Sequence, residues 1–484
     1  MATKFRFKNA DGTTVDFEDY YVRADYFSDD YFKRGGLWLW GFNGYSQIGD
    51  NTTTTRSSPV QTVTFGSNWK QVFSLKYNTI ALKKDGTLWG WGLNGGPIYG
   101  NIGDNTNTPR SSPVQTVTYG TDWKSVSSNS TSNSVVAIKT DGTLWAWGSN
   151  GGGQLGDNTI ISKSSPVQMV SRGTNWMQAD CGRLVTAAIK TDGTLWMCGA
   201  GGAGSLGDNT TISKSSPVQT VAGGTNWKQV SCGSNHTAAI KTDGTLWVWG
   251  SQSLYGYLGD NTLTSRSSPV QTVAGGTNWK QVSCGYSHTA AIKTDGTLWV
   301  WGRNDSGKLG FWNLGDAGTS PVTVSGSKTN ASTFTTSNTS GVSVGMKVYT
   351  STVAVNWTTV SAINPNVSIT FTPTGPAGTW TGTISLGVNA IKPSMPNAVS
   401  SPVQTIAFGT NWKQVSCGFA NTAAIKTDGT LWLWGSNSYG RIGDNTTTNR
   451  SSPVQTIMYG TNWKQVCCGY RGVTAAIQYQ DDYQ

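Results

Sequence analysis

The chain has 484 residues, among them 61 glycines and 15 prolines, and only 12% are charged, a balance poor in helix formers and rich in turn formers. Glu18 is the sole glutamate and no apolar run approaches the roughly 20 residues of a membrane helix, so long charged helices and membrane insertion are excluded. The net charge is +10, but the basic residues recur in register along the chain instead of forming a phosphate-tracking stripe, which argues against specific nucleic-acid binding.

Residues 1–34 stand apart as an N-terminal arm. Alternating Phe5 and Phe7 face Val15 and Phe17 across a turn built on Asn9, Asp11 and Gly12, the pattern of a small hairpin. The stretch that follows is acidic and crowded with Tyr20, Tyr21, Tyr26, Phe27, Tyr31 and Phe32, which marks it as a segment that attaches to another body, with packing under the chain's own main domain as the alternative. The N-terminus lacks the basic and apolar regions of a signal peptide.

From residue 35 the chain repeats. Versions of KTDGTLWVWG place their first tryptophan at Trp38, Trp89, Trp145, Trp196, Trp247, Trp299 and Trp432, with separations of 51, 56, 51, 51, 52 and 133 residues. A period near fifty means units that cannot bury their apolar faces alone. Each unit reads as four strands: NWKQVSCG, TAAIKT, TLWVWG and SSPVQTV. The Asp-Gly between the second and third makes a tight hairpin turn, and the proline of the fourth suits an edge strand. The chain opens on a third strand and ends on a first and a second, so pairing of Thr474 to Tyr479 with Gly36 to Trp40 would close a ring. The expected fold is all-β: a seven-bladed propeller of repeats of about 51 residues, closed by its N- and C-terminal strands. An insert in the sixth repeat, rich in Ser and Thr and free of Asp and Glu, has the alternation of a small β-domain. The boundaries are 1–34 for the arm, 35–322 and 400–484 for the propeller, and 323–399 for the insert.

Several tempting sites dissolve into scaffold. Twenty of the 23 tryptophans hold repeat positions and pack blades, leaving Trp312, Trp357 and Trp380 off the pattern. Cys181, Cys232, Cys284, Cys417 and Cys468 share one repeat position on separate blades, which fits buried thiols and neither a disulfide framework nor zinc. His236 and His288 sit at one position of adjacent units, too far apart for acid-base work. The GDN tripeptides carry one Asp each, which suits turn capping and not calcium. No catalytic, metal or cofactor site is expected, although a paired-carboxylate glycosidase is not ruled out by any residue.

The copies agree on one face and differ on the other. The turns between second and third strands, and the connections to the next unit, are monotonous, reading TDG and GGTN or close variants; the opposite loops vary and carry tyrosines. Loops bear binding function on rigid scaffolds, so a partner surface is expected around Tyr45, Tyr99, Tyr255, Tyr257, Trp312 and Tyr439, with Trp357 and Trp380 as further candidates in the insert.

The repeat NWKQVSCGxxHTAAIKTDGTLWVWGxNxxGxLGDN resembles the regulator of chromosome condensation repeat, over residues 36–320 and 400–479. That resemblance implies a seven-bladed propeller; the family's functions range from nucleotide exchange on a small GTPase to enzyme inhibition. DYYVRADYF before GGLWLWG, and GVSVGMKVYTSTVAVNWTTVSAI in the insert, are similar to tailed-phage virion proteins. The expected function is a non-enzymatic virion component found in the virion, a tail, fibre or decoration protein. Its arm would meet other virion proteins and its propeller a host-surface glycan or protein; an oligomer is compatible with this. The alternative is a cytoplasmic interaction or regulatory propeller, such as a small-GTPase exchange factor, and a third reading is a glycan-cleaving tailspike.

Overall fold

The computed structural model describes residues 36–310 and 398–479, apart from 65, 67, 96–99, 118–119, 171–172, 223, 253–254, 406–408 and 459, together with the strands of the N-terminal hairpin and of the insert. Seven four-stranded antiparallel sheets form the blades of a propeller. Numbered by their third strands, blades 2 to 5 each use one continuous repeat. Blade 5, for example, runs Trp227–Cys232, His236–Lys241, Leu246–Gly250 and Arg266–Gln271 from inside to outside. The proline-bearing strand is at the edge of each sheet, as its missing donor requires.

Blade 1 is the latch. Its two inner strands, Trp463–Cys468 and Val473–Gln478, come from the end of the chain, and its two outer ones, Gly36–Gly41 and Arg56–Gln61, from the beginning. The register pairs Gly36 with Gln478 and Trp40 with Thr474, so the ring closes by ordinary backbone hydrogen bonding.

Each of the seven joints between blades has its own apolar core. At the joint of blades 4 and 5, Ile189, Leu195 and Met197 meet Trp227, Val230 and Trp249, all buried. In blades 1, 2, 3, 5 and 6 the second tryptophan of LWxWG also reaches back to the preceding blade: the indole of Trp249 donates to Ser205 O at 3.1 Å, and that of Trp301 to Tyr257 O at 2.8 Å. In blade 4, where Cys198 replaces the tryptophan, its thiol donates to the equivalent carbonyl, Gln154 O. The glycine of GDN is required beside this ring. A Cβ on Gly259, whose φ is +67°, would lie 2.7 Å from the Trp301 indole nitrogen.

The innermost strands add a polar clamp. The Gln281 side chain accepts from Val415 N at 3.0 Å and donates to Val415 O at 3.2 Å on the next blade, satisfying backbone groups that no further strand can pair. Gln178, Gln229, Gln414 and Gln465 do the same, and Gln71 accepts from Val126 N. Blade 3 has Ser125 at this position, and no clamp to blade 4 is made there.

Within the sixth repeat, six strands from Val322–Lys328 to Trp380–Gly387 form a separate closed barrel, after which Ala398–Gln404 completes the blade. The N-terminal hairpin pairs Arg6–Lys8 with Thr14–Asp16, placing Phe7 opposite Val15. Residues 17–35, with the six candidate attachment aromatics Tyr20, Tyr21, Tyr26, Phe27, Tyr31 and Phe32, lie outside the described residues.

Candidate functional site

The seventh residue after the first tryptophan of each innermost strand stands at the rim of the central channel on the variable face. In blades 1 to 7 that residue is Tyr470, Lys76, Ser130, Arg183, Ser234, Tyr286 and Phe419. Three of the seven are aromatic and touch: Phe419 lies 4.5 Å from Tyr286 and 4.4 Å from Tyr470 between ring centroids. The Lys76 ammonium sits 5.3 Å from the Tyr470 ring and 5.1 Å from that of Tyr77. From Tyr77 the cluster runs outward through Tyr45, 5.4 Å away, to Phe42 at 5.8 Å and Tyr439 at a further 5.0 Å. The Arg471 guanidinium covers Tyr77 at 5.2 Å.

The cluster is aromatic and cationic. Burial, and then the neighbouring Tyr286 and Tyr77, push the Tyr470 phenol above its usual pKa, while Arg183 and Arg471 pull it down. Arg183 and Arg471 are exposed, and the rim loops that carry them contain no acidic residue. Tyr439 is 50% exposed and holds φ at +69°, a conformation a bulky side chain adopts only when its surroundings impose it. Half-buried aromatics bordered by cations match the composition of protein-binding hot spots.

One loop closes the channel beneath this rim. Ser128 to Ser132 are buried, and the Asn129 amide crosses to donate to Cys284 O at 2.7 Å, from blade 3 to blade 6. Behind it is a cavity of about 220 Å³ lined by the innermost strands of all seven blades. Its one carboxylate is Asp180, standing where blades 5, 6 and 7 have Ser231, Ser283 and Ser416. Asp180 accepts from the Ser127 hydroxyl and from Cys232 N, each at 2.7 Å, so it bridges blades 3, 4 and 5 where the glutamine clamp fails.

Burial pushes the Asp180 carboxyl up to about 6. A raised acid binds its proton more tightly when folded, so its contribution is most favourable below the unfolded value near 4 and is lost as pH rises to about 6. Asp180→Ser is therefore expected to raise stability by about 1–3 kcal/mol at pH 8 and to flatten the dependence between pH 4 and 7. Urea unfolding at both ends of that window checks it; lower stability of the variant at pH 8 would mean that the bridging hydrogen bonds dominate.

Of the sequence-predicted partner residues, Tyr45 and Tyr439 join the cluster. Tyr255 lies elsewhere on the same face, under the Arg303 guanidinium at 4.6 Å. Tyr257 is corrected: it is 6% exposed, its ring stacks beside Tyr255 and His236, and its carbonyl receives the Trp301 indole, so it is scaffold. Tyr99, Trp312 and Trp357 lie outside the described residues, and Trp380 opens the last strand of the inserted barrel. Tyr77, Tyr286, Phe419, Tyr470 and Arg471 were missed. Their loops are visibly variable in the sequence, but only the ring geometry brings blades 6, 7, 1 and 2 together at the rim.

The remaining chemistry is structural. His236 and His288 are buried and bond Thr289 and Thr422 of the next blade, each at 2.9 Å; burial drives His236 down to about 4 and His288 well below its usual value. All seven cysteines are free and buried. The GDN aspartates cap their turns, and Asp50, Asp104, Asp157, Asp260 and Asp444 additionally pair with the basic residue before SSPV, Arg56 reaching Asp50 with two nitrogens at 3.0 and 2.8 Å. Among the described residues no group of three His, Cys, Asp or Glu side chains could hold a metal, and no helix is long and apolar enough to cross a membrane.

The family model of the RCC1-like domain matches residues 76–380, and two models of the regulator of chromosome condensation (RCC1) repeat match 412–441 and 428–476. The chain belongs to the RCC1-like propeller family. It is 30% identical over 294 residues to the ultraviolet-B receptor UVR8 of Arabidopsis thaliana, covering 59% of this chain and 64% of the receptor. It is 27% identical to the mitochondrial RCC1 domain-containing protein RUG3 of the same plant, covering 60% and 66%. The Xenopus laevis RCC2 homologue is 27% identical over 44% of this chain and 46% of its own. The chain thus spans about two thirds or less of the length of these relatives. Among solved structures, Prp20p of Saccharomyces cerevisiae superposes with a TM-score of 0.66 at 15% identity, over 93% of this chain and 94% of Prp20p. Human WBSCR16 gives 0.64 at 17%, over 92% and 99%. At these identities the likeness is one of fold.

Proposed function

We propose that this chain is a non-enzymatic interaction propeller that binds a protein partner through the aromatic and cationic rim of its variable face. The carrying observation is the cluster from Tyr439 through Phe42, Tyr45 and Tyr77 to Tyr470, bordered by Lys76 and Arg471 and free of acids. Its charge favours an acidic surface on the partner, since complementary potentials speed encounter and select against wrong partners. The relatives support the class of function: Prp20p is described with binding to Gsp1p and histones, and yeast RCC1 in complex with Kap60. Nucleotide exchange on a small GTPase is one form this binding would take.

The test is affinity capture with the full chain beside a Tyr45→Ser, Tyr77→Ser, Tyr439→Ser variant, from cells that express the protein. Stoichiometric capture by the parent chain alone supports the reading; equal capture by both removes it.

A second reading places the same propeller on a tailed-phage particle, with the arm toward other virion proteins and the rim toward the host surface. The inserted barrel on blade 6 and the aromatic arm support it, as additions the propeller does not need for closure. Mass spectrometry of purified particles decides it, and absence of the chain from them ends it.

A further inference from the structure

The seven innermost strands that end in varied rim residues begin with an almost uniform collar. At the position after their first tryptophan, blades 1, 2, 3, 5, 6 and 7 carry Lys464, Lys70, Lys124, Lys228, Lys280 and Lys413, all exposed, and blade 4 carries Met177, 40% exposed. In blades 1, 4, 5, 6 and 7 this residue is followed in the chain by a glutamine that lines the channel, Gln465, Gln178, Gln229, Gln281 or Gln414, and in blades 2 and 3 it holds the same place at the start of the innermost strand, so the collar surrounds the channel mouth on the uniform face. In sequence these lysines look spread around the circumference. On the innermost strands they converge.

Among the described residues no acid pairs with them. Asp122, two residues before Lys124, is taken by Lys139 at 3.1 Å; the other aspartates of the uniform face, Asp85, Asp141, Asp192, Asp243, Asp295 and Asp428, sit in the turns between second and third strands, farther from the axis. Each is held by the threonine two residues on, as Asp243 is by Thr245 at 2.7 and 2.9 Å. The cation that lowers each of their pKa values is the lysine ending the second strand, such as Lys241 for Asp243, and not a collar lysine. Those second-strand lysines also lie over tryptophan pairs, Lys241 at 4.8 and 4.7 Å from Trp227 and Trp247. In the collar, only Lys70, which donates to Lys124 O at 2.8 Å, and Lys464, 4.4 Å from the Tyr479 ring, have a partner among the described residues. Six like charges around one opening repel, and within a Debye length of about 8 Å they sum to a strong positive potential.

We propose that this collar binds a compact, multiply phosphorylated small molecule seated across the channel mouth. The closed circle suits phosphates that radiate from one centre, whereas an extended nucleic acid would meet a stripe. Lysine ammonium groups serve as point charges for such a ligand without demanding one fixed geometry. Asp180 inside the channel repels an anion that enters farther, which keeps the ligand at the mouth.

The experiment is calorimetric titration of the full chain with inositol hexakisphosphate at physiological salt. Vesicles bearing phosphatidylinositol bisphosphate and a duplex DNA are parallel ligands. One-to-one binding is expected, weakened about 100-fold or more in Lys228→Ala, Lys280→Ala, Lys413→Ala and strengthened several-fold in Met177→Lys, which completes the seventh position. All four side chains are exposed, so unchanged thermal unfolding verifies the fold of the variants. Collar-dependent binding to the free ligand, with or without the vesicles, supports a soluble ligand. Collar-dependent binding to vesicles alone supports a lipid headgroup of the same chemistry. Absence of both, binding that survives the triple variant, or collar-dependent binding to DNA alone overturns the proposal.

Discussion

Ending the chain at Gly472, which removes the strand Val473–Gln478, is expected to abolish cooperative folding of the whole propeller. That strand hydrogen-bonds on both sides, to Trp463–Cys468 and to Gly36–Gly41. Its six residues are at most 3% exposed. Ala476 belongs to the core shared with blade 7, and Val473, Ala475 and Ile477 to the core shared with blade 2. Losing it removes one wall of two of the seven joints and leaves Gly36–Gly41, buried along its full length, with a bare apolar edge. Each large buried side chain so uncovered costs about 2–5 kcal/mol, and several together exceed the 5–15 kcal/mol that holds a typical domain. Circular dichroism melting and size-exclusion chromatography check this: the truncated chain should aggregate and melt without a cooperative transition. A cooperative melt within a few degrees of the parent would mean that the latch is dispensable.

Replacing Tyr77 and Arg471 together by alanine is expected to cost about 2–4 kcal/mol of partner affinity, roughly 30- to 1000-fold, with stability nearly unchanged. The two side chains meet at 5.2 Å in the middle of the rim cluster and are partly exposed or exposed, so their energy is available to a partner and little of it is spent on the fold. Titration of the captured partner into parent and variant chains measures it. Asp243→Ala, in a turn on the uniform face, serves as the control and should leave affinity within a factor of two.

Much of the fold was legible in the sequence because repetition makes each residue a comparison with six others. The separated second-to-third hairpin, split between Thr474 to Tyr479 and Gly36 to Trp40, predicted the latch, and the structure has it in that register. The proline of SSPV predicted edge strands. The site was legible only in part. The variable face followed from strand alternation, but which variable residues meet depends on the order of blades around the axis. That order is why Tyr77, Tyr286 and Tyr470 escaped notice although the loops holding them were seen to differ. Tyr257 misled because exposure cannot be read from residue type: its own position in the repeat is a buried one, filled elsewhere by Gln47, Gln154 and Lys308. The loop 128–134, SNSTSNS, is in sequence one more loop of the variable face, and only the chord from Asn129 to Cys284 shows that it closes the channel.

The collar carries the same lesson in reverse. Uniformity marks scaffold when side chains point into joints, as the tryptophans do. Where a uniform residue points to solvent at the axis, seven-fold repetition concentrates its charge.

The central claim is that partner binding resides where the repeats disagree. Hydrogen exchange of the chain with and without its captured partner tests this most directly. Slowed exchange confined to the rim loops 42–46, 75–77, 286–287, 419–420, 439–441 and 470–472 is the expected result. Slowed exchange confined to the repeated turns of the opposite face, such as 242–245 and 294–297, would contradict it.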